Sequence, residues 1–420
     1  MIKQFAIIVS LLLSLTGNCQ DISDSAIRLN PEIEQGGTLS AKFGVDYPYL
    51  NLDKNHINFN NADWSNVCQL LNDIDSTTLT IVHIGDSHLQ ADIATSHTRQ
   101  LLQKQYGNAG RGLIIPFKMA NTNEPRDYSI TSNNSWTAST IMRQPWLCPM
   151  GFTGISLSPN TQSTDLTIST CSRNKKQTFQ SVRLFKKGDI AINQVGTSKS
   201  DSCQIYYEKD YIDLLFSDTT SCINLNLEFA KSASIWGADL ATYNTGIVYH
   251  TIGNNGATYD NYNRIPDFAD QLSILSPDLI IISLGANEAF GNMSDITIRN
   301  SIDKLVTDLR NANPLATILL STPMECYKYQ YVKRKGKRRY RTYIVNEKTH
   351  NVRQVILDYA RDNNIAVYDW FNVAGGKGAG EKWVNDNLLS RDRIHSTVKG
   401  YELQGTLFYH ALQKGITNNR

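Results

Sequence analysis

The chain has 420 residues, 41% of them hydrophobic and 19% charged, so it can bury a sizeable core and has length for two domains of ordinary size. The formal net charge of +2 is uneven: Lys328, Lys333, Arg334, Lys335, Lys337, Arg338, Arg339 and Arg341 put eight cations within fourteen residues and leave the remainder at −6. That balance excludes a protein that binds polyanions, nucleic acid included, over its whole surface, and confines any such property to one segment.

The chain opens with "MIKQFAIIVSLLLSLTGNCQ". Lys3 precedes an apolar run from Phe5 to Leu15 that is too short to cross a bilayer and is followed by small residues, the pattern of a secretory signal peptide. Gly17 and Cys19 set small residues where a signal peptidase needs them, so the expected signal is residues 1–19 and the expected location periplasmic or secreted. A lipid anchor on Cys19 is the alternative. No later segment reads as a transmembrane helix. Export means an oxidising compartment in which Cys68, Cys148, Cys171, Cys203, Cys222 and Cys326 are available to pair. Cys171, Cys203 and Cys222 share one strand-rich stretch, where a bridge is expected without the pairing being fixed; Cys68 and Cys326 read as buried thiols. None of these spacings is that of a metal site.

Residues 20–60, rich in Asn, Asp, Ser and Gly, read as an irregular arm. "ADWSNVCQLLNDID" then places Trp64, Val67, Leu70, Leu71 and Ile74 on one helical face. "TTLTIVHIG" is β-branched and apolar enough for a buried strand, and "SHLQADIATSHTRQLLQKQYG" follows with helical character up to Gly107. Residues 61–115 are thus expected to open an α/β domain. From 116 to 244 the texture changes to short alternating runs such as "TDLTIST" and "CINLNLEFA", which predict an inserted antiparallel β-sandwich. From 245 to 420 strand and helix alternate again: "TGIVYHTIG", "PDLIIISLG", "ATILLSTP" and "IAVYDWF" as strands, "SDITIRNSIDKLVTDLRNANP" and "THNVRQVILDYARDNN" as helices. That alternation predicts a parallel sheet with helices on both faces.

In an open parallel sheet functional groups gather beyond the carboxyl ends of the strands. Four segments end there. Ser87 in "GDSH" follows the first strand, on a tight turn with a helix amino end beneath it; it reads as a nucleophile or as a helix cap. In "TIGNNGATYDN" the amide of Gly256 is placed to donate to an oxyanion, and in "LIIISLGANEAF" the side-chain amide of Asn287 offers a second, uncharged donor. In "SRDRIHSTVKGY" Asp392 and His395 are three apart, so that one loop can set the carboxylate against Nδ1 and leave Nε2 to take a proton from Ser87.

"GDSH", "NNGAT", "GANE" and "DRIH", in that order, resemble the four signature blocks of the SGNH/GDSL hydrolases. The resemblance covers roughly 75–115 and 245–415 and leaves the insertion aside. It implies a three-layer α/β/α, flavodoxin-like parallel sheet, with Ser87 as nucleophile and His395 as base oriented by Asp392. The implied oxyanion hole consists of the Ser87 and Gly256 amides and the Asn287 side chain, with no metal or cofactor. His88 and Glu288 depart from the commonest family spelling, which has Leu and Asp there, and neither position carries the chemistry. Both variants look like the exported bacterial branch that includes peptidoglycan O-acetylesterases, whose hydrolase domain likewise carries a β-sandwich insertion. The expected function is therefore a serine esterase removing acetyl from an acetylated glycan, peptidoglycan first. Other acetylated polysaccharides, an O-acyltransferase and a catalytically silent glycan-binding envelope protein are the alternatives.

Three further readings concern residues outside those blocks. His83 and His250 lie in predicted strands and read as satisfied core groups. His88 reads as a substrate contact or as a surface residue at a helix start. "YKYQYVKRKGKRRYRTY" reads as a hairpin with Gly336 at its tip, its charges solvated, guarding a strand edge, or holding an anionic polymer while the tyrosines stack on sugars.

Overall fold

The computed structural model describes residues 47–170, 177–197, 202–332 and 339–418. The expected signal, Cys19, Cys171 and the expected hairpin tip at Gly336 lie outside the described residues. Strand β1 (Thr78–Gly85) is followed by a short helix, Ser87–Gln90, and a longer one, Ile93–Tyr106. β2 (Gly110–Ile114), β3 (Ser129–Thr131), β4 (Trp136–Thr140), β5 (Ile155–Pro159), β6 (Ser163–Ser169) and β7 (Phe179–Lys187) come next. β8 (Ile190–Thr197), β9 (Cys203–Tyr207), β10 (Tyr211–Thr220), β11 (Cys222–Phe229) and β12 (Ser234–Ala241) continue the run. The remainder alternates β13 (Gly246–Gly253), β14 (Leu279–Ser283), β15 (Thr317–Ser321), β16 (Tyr327–Val332), β17 (Tyr340–Val345) and β18 (Ala366–Tyr368) with helices.

β13, β1, β14, β15 and β18 form a parallel sheet in that spatial order. Numbered by their occurrence in the chain these strands run 2-1-3-4-5, the flavodoxin-like order, whose reversal lies beside the first strand. β13 and β15 are buried along their whole length, as the continuous apolar runs demanded. On one face Val82, Ile84, Ile280 and Ile282 pack with Ile302, Leu305 and Leu309 of helix Asp295–Ala312 and with Ile356 of helix Lys348–Asp362. On the other, His83 and Tyr368 lie against Phe408 of the terminal helix Val398–Asn418. Helices thus cover both faces of the sheet, giving three layers.

The antiparallel strands form two sheets: β4-β5-β12-β7-β10-β9, joined by β2 through β12, and β3-β6-β11-β8. β11, "CINLNLEF", shows how a sequence builds such a layer: Ile223, Leu225, Leu227 and Phe229 are buried while the residues between them are not. They meet Leu184, Ile212 and Leu214 of the facing sheet in one core. A second contact joins this sandwich to the parallel sheet, because Phe152, Phe185 and Trp236 belong to the same core as Val82 and Ile252.

Two expectations are corrected. The run after β1 is not one helix: it breaks at Ala91 and Asp92, where Asp92 takes the left-handed conformation (φ 52). The reason is its side chain, which is 2% exposed and serves as the acceptor for two buried guanidinium groups. Arg99 reaches Asp92 at 3.0 Å and Arg111 at 2.6 Å, and both also pair with Asp127. Burial alone would raise the Asp92 carboxyl; Arg99 and Arg111 bring it below the usual carboxylate range. Cys203 and Cys222 are thiols, each in a different sheet. Cys68 and Cys326 are buried thiols, as expected. Among the described residues no helix is long and apolar enough to cross a membrane.

Removing one partner of a buried charge cluster leaves the others uncompensated. Asp92→Asn is expected to cost about 3 kcal/mol of unfolding free energy, read as a lower urea midpoint at unchanged slope; a midpoint equal to wild type would show that Asp127 alone satisfies both arginines.

Candidate active site

β1, β13 and β14 end level, with Gly85 opposite both Gly253 and Ser283. The short helix Ser87–Gln90 crosses directly above these ends, and a Cβ on Gly253 would stand 2.4 Å from the Gln90 nitrogen, so only glycine fits there. Asp86 is the cap of this helix: its Oδ1 accepts from the His88 amide at 2.9 Å. Ser87 is thereby freed of the capping role and presents Oγ outward.

Ser87 Oγ lies 2.8 Å from His395 Nε2, and His395 Nδ1 lies 2.7 Å from Asp392 Oδ2. Asp392 Oδ1 accepts from the Ser390 hydroxyl at 2.7 Å and from the amides of Ile394 and His395 at 2.9 and 3.0 Å. Burial alone would raise the Asp392 carboxyl, but these donors hold it at about 2, so it is ionised at any working pH. An ionised Asp392 accepts a hydrogen bond from Nδ1–H, which fixes the tautomer and leaves Nε2 as the acceptor toward Ser87. The loop bearing Asp392 and His395 is itself pinned, since Leu389 bridges to Ser396 and the Ser390 amide donates to the His395 carbonyl.

An open pocket of about 580 Å³ stands over Ser87 and His395, with Gly256, Asn287, His88 and Tyr401 in its wall. Gly256 has φ 82, a left-handed turn at the pocket edge that glycine adopts without strain. The Asn287 amide nitrogen is held between Asp86 Oδ2 at 3.2 Å and the Ala257 carbonyl at 3.0 Å. The structure therefore brings together Ser87, His88, Gly256, Asn287, Asp392 and His395. His88 is turned into the pocket wall, with Nδ1 at 3.1 Å from Tyr401 OH and its ring 5.2 Å from that of His395. Burial depresses its basicity, with the neighbouring His395 acting in the same direction against Asp86.

Sequence reasoning missed the residues that hold these loops. Gln90 Oε1 accepts from the Asn255 amide at 2.7 Å, while its Nε2 donates to Thr122 and to Asn123. Asn254 donates to the Thr153 carbonyl and to Tyr262 OH, which in turn donates to the Gly85 carbonyl at 2.6 Å. The signal for Asn254 and Asn255 was present in "NNGAT"; their partners on the loops around Thr122 and Thr153 are remote in the chain and gave none. His83 is a satisfied core group, bonded to Tyr249 OH and Ser283 Oγ, and burial holds it neutral at about 3. His250 accepts from the Leu113 amide. Neither faces the pocket.

Glu288, beside Asn287, is buried, with Oε1 accepting from the Tyr259 amide at 2.8 Å and Oε2 without a hydrogen-bond partner. Burial raises its carboxyl from 4.5 to about 7. Over that interval the unfolded chain has released the proton that the folded chain keeps, so stability present at low pH is lost as pH rises through the folded value. Glu288→Gln stays neutral throughout. Its melting temperature is expected to gain on wild type between about pH 5 and about pH 8; parallel curves for the two proteins would show that Glu288 ionises normally.

Residues 224–403 match the GDSL-like Lipase/Acylhydrolase family. That span holds the second, third and fourth blocks and begins well beyond Ser87, which reaches the same site through the strand order of the sheet. No curated protein matches the chain by sequence. Among solved structures the chain is similar to one described as "Peptidoglycan O-acetylesterase in action, 5 min", at 20% identity over 88% of this chain and 98% of that chain, with a TM-score of 0.68. At that identity the likeness is one of fold. The lipase/acylhydrolase from Enterococcus faecalis (20% identity, 40% and 77% of the two chains, TM-score 0.30) is also similar. So is a carbohydrate esterase family 3 protein from Talaromyces cellulolyticus (17%, 40% and 72%, 0.30). Seated on a parallel sheet of flavodoxin-like order, residues 224–403 carry a GDSL-like lipase/acylhydrolase domain, and the chain is a carboxylic ester hydrolase.

Proposed function

We propose that the chain is an exported serine esterase that removes acetyl groups from carbohydrate hydroxyls through an acyl-serine intermediate, with peptidoglycan as the carbohydrate. The observation that carries this reading is the unbroken relay from Ser87 Oγ through both ring nitrogens of His395 to Asp392, at 2.8 and 2.7 Å. Ser87 Oγ attacks the ester carbonyl carbon while its proton passes to His395 Nε2, and the carbonyl electron pair moves onto oxygen. The amides of Ser87 and Gly256 and the Asn287 side chain are assigned to that oxyanion. Collapse of the tetrahedral species expels the sugar oxygen, which takes the proton from His395. Water then attacks the acyl-serine, gives its proton to His395, and acetate leaves as Ser87 Oγ is reprotonated.

The pocket supports a small acyl group on a polar alcohol. Asn123, Asn255, Asn287, His88 and Tyr401 offer hydroxyl-bonding groups, beside the apolar side chains of Ala91, Ala286, Phe290 and Ile394. The apolar leader read at residues 1–19 supports export. Peptidoglycan is favoured because the fold of the O-acetylesterase structure extends over most of this chain, more than the parallel sheet and its helices alone contain.

Ser87→Ala is expected to lower acetate release from an aryl acetate by about a thousandfold or more while leaving the melting temperature unchanged. Equal activity in mutant and wild type would remove Ser87 from its role. Asp392→Asn, which withdraws the charge but keeps the shape, is expected to lower kcat by at least about a hundredfold with little change in KM; a change confined to KM would make Asp392 a binding group instead. Acetate release should be faster from O-acetylated peptidoglycan than from acetylated xylan or O-acetylated sialic acid, and the opposite ranking would replace the proposed substrate.

A further inference from the structure

The cation-rich segment takes no part in the chemistry above, yet it is tied to the loop of His395. β16 and β17 pair antiparallel, with Tyr329 opposite Tyr343 and Tyr331 opposite Arg341. Side chains alternate across a strand, so Tyr327, Tyr329, Tyr331, Arg341 and Tyr343 share one face of this hairpin. On that face the Arg341 guanidinium lies 4.6 Å from the ring centre of Tyr329 and 5.0 Å from that of Tyr343, and it donates to Tyr343 OH at 2.7 Å. Arg393 comes next, 5.0 Å from the ring of Tyr343 and 5.3 Å from that of Tyr327. Arg393 stands between Asp392 and Ile394, and its carbonyl accepts from the Tyr327 amide at 3.1 Å. Tyrosines and guanidinium groups therefore alternate in a ladder that starts at the loop of His395 and runs out along a two-stranded arm.

Edge protection does not account for this ladder, because the hairpin pairs with neither the parallel sheet nor the sandwich sheets. Tyr329 and Tyr331 are 57% and 59% exposed, a large aromatic area to leave in water. No acidic residue occurs between Glu325 and Glu347, and among the described residues neither Arg341 nor Arg393 pairs with a carboxylate. A guanidinium held by ring stacking is pre-organised and keeps in-plane donors for an incoming anion. Rings, fixed cations and the absence of acids from the hairpin itself together fit a polymer that offers flat sugar faces and carboxylates in alternation.

We infer that the Tyr/Arg face of this hairpin docks an anionic glycan strand, with sugar rings on Tyr329 and Tyr331 and carboxylates on Arg341 and Arg393. The docked strand is thereby delivered to the pocket over Ser87. The inference rests on the glycan reading above for the chemistry of the occupant, and it makes no use of the acyl chemistry.

The test is co-sedimentation with insoluble peptidoglycan stripped of O-acetyl groups by mild base. Wild type and Ser87→Ala are expected to be retained alike, and retention should weaken as salt is raised. The Tyr329→Ala/Tyr331→Ala/Arg341→Ala variant is expected to bind about tenfold more weakly, with an unchanged melting temperature because all three side chains are exposed. Retention of that variant equal to wild type overturns the inference. So does capture of wild type by anionic phospholipid vesicles or single-stranded DNA as strong as by peptidoglycan. Hairpin-dependent retention without acetate release from any ester would sink the esterase reading and leave this one standing; acetate release with hairpin-independent retention would do the reverse.

Discussion

The arrangement of this molecule depends on one buried carboxylate. Asp92 stands five residues beyond Ser87, where it ends the short helix and turns the chain into the next one. Its acceptors are filled by Arg99 from helix Ile93–Tyr106, by Arg111 from β2, and by the Thr251 hydroxyl from β13 at 3.0 Å. Asp127, on the connection to β3, completes the neutralisation of both arginines. The turn that presents Ser87, the strand that leads to Gly256 and the entry to the antiparallel sheets are therefore joined by charges that would be costly to leave unpaired. The sandwich and the parallel sheet also share a hydrophobic core through Phe152, Phe185 and Trp236.

A second constraint is topological. Placing the first strand between the second and third brings the loops after β1, β13 and β14 side by side at the point where the strand order reverses. Asp86 exploits that adjacency: it caps the helix of Ser87 with one oxygen and holds the Asn287 amide with the other. Tyr262 closes the same circuit by bonding the Gly85 carbonyl, and Asn254 extends it to the sandwich at Thr153. The loop of Asp392 and His395 arrives from the far end of the chain, already rigid through its own backbone bonds, so it needs only to be set down over Ser87. Ser87, Asn287 and His395 are thus held through Asp86 and Asp392, neither of which lines the pocket.

Much of this was legible in advance where the signal is local. The runs "TLTIVHI", "IVYHTI" and "LIIIS" could only be strands buried on both faces, and "CINLNLEF" only a strand buried on one. Ser87, Gly256 and Asn287 each followed the end of such a strand, which is where an open sheet collects function, and Asp392 and His395 stood in the loop before the terminal helix. What the local pattern concealed was the break at Asp92, because helical periodicity on both sides of it is sound and the cause is a pair of arginines brought in from elsewhere. Gln90 and Tyr401 were concealed likewise: a glutamine inside a short helix and a tyrosine at the start of a long one carry no mark of the partners they find. The free thiols of Cys203 and Cys222 follow from the same limit, since Cys203 on β9 and Cys222 on β11 were placed in different sheets.

By itself the sequence determined the secondary elements, the parallel sheet and the residue types that meet at its carboxyl edge, because periodicity and strand-end position are properties of a few consecutive residues. Only the tertiary structure decided that Asp86 rather than Ser87 caps the helix, that His88 faces the pocket, that Glu288 is buried against a backbone amide, and that Arg393 links the loop of His395 to the tyrosines of the hairpin. Those outcomes depend on which side chains compete for the same acceptor or the same volume, and that competition exists only once distant segments have been packed together.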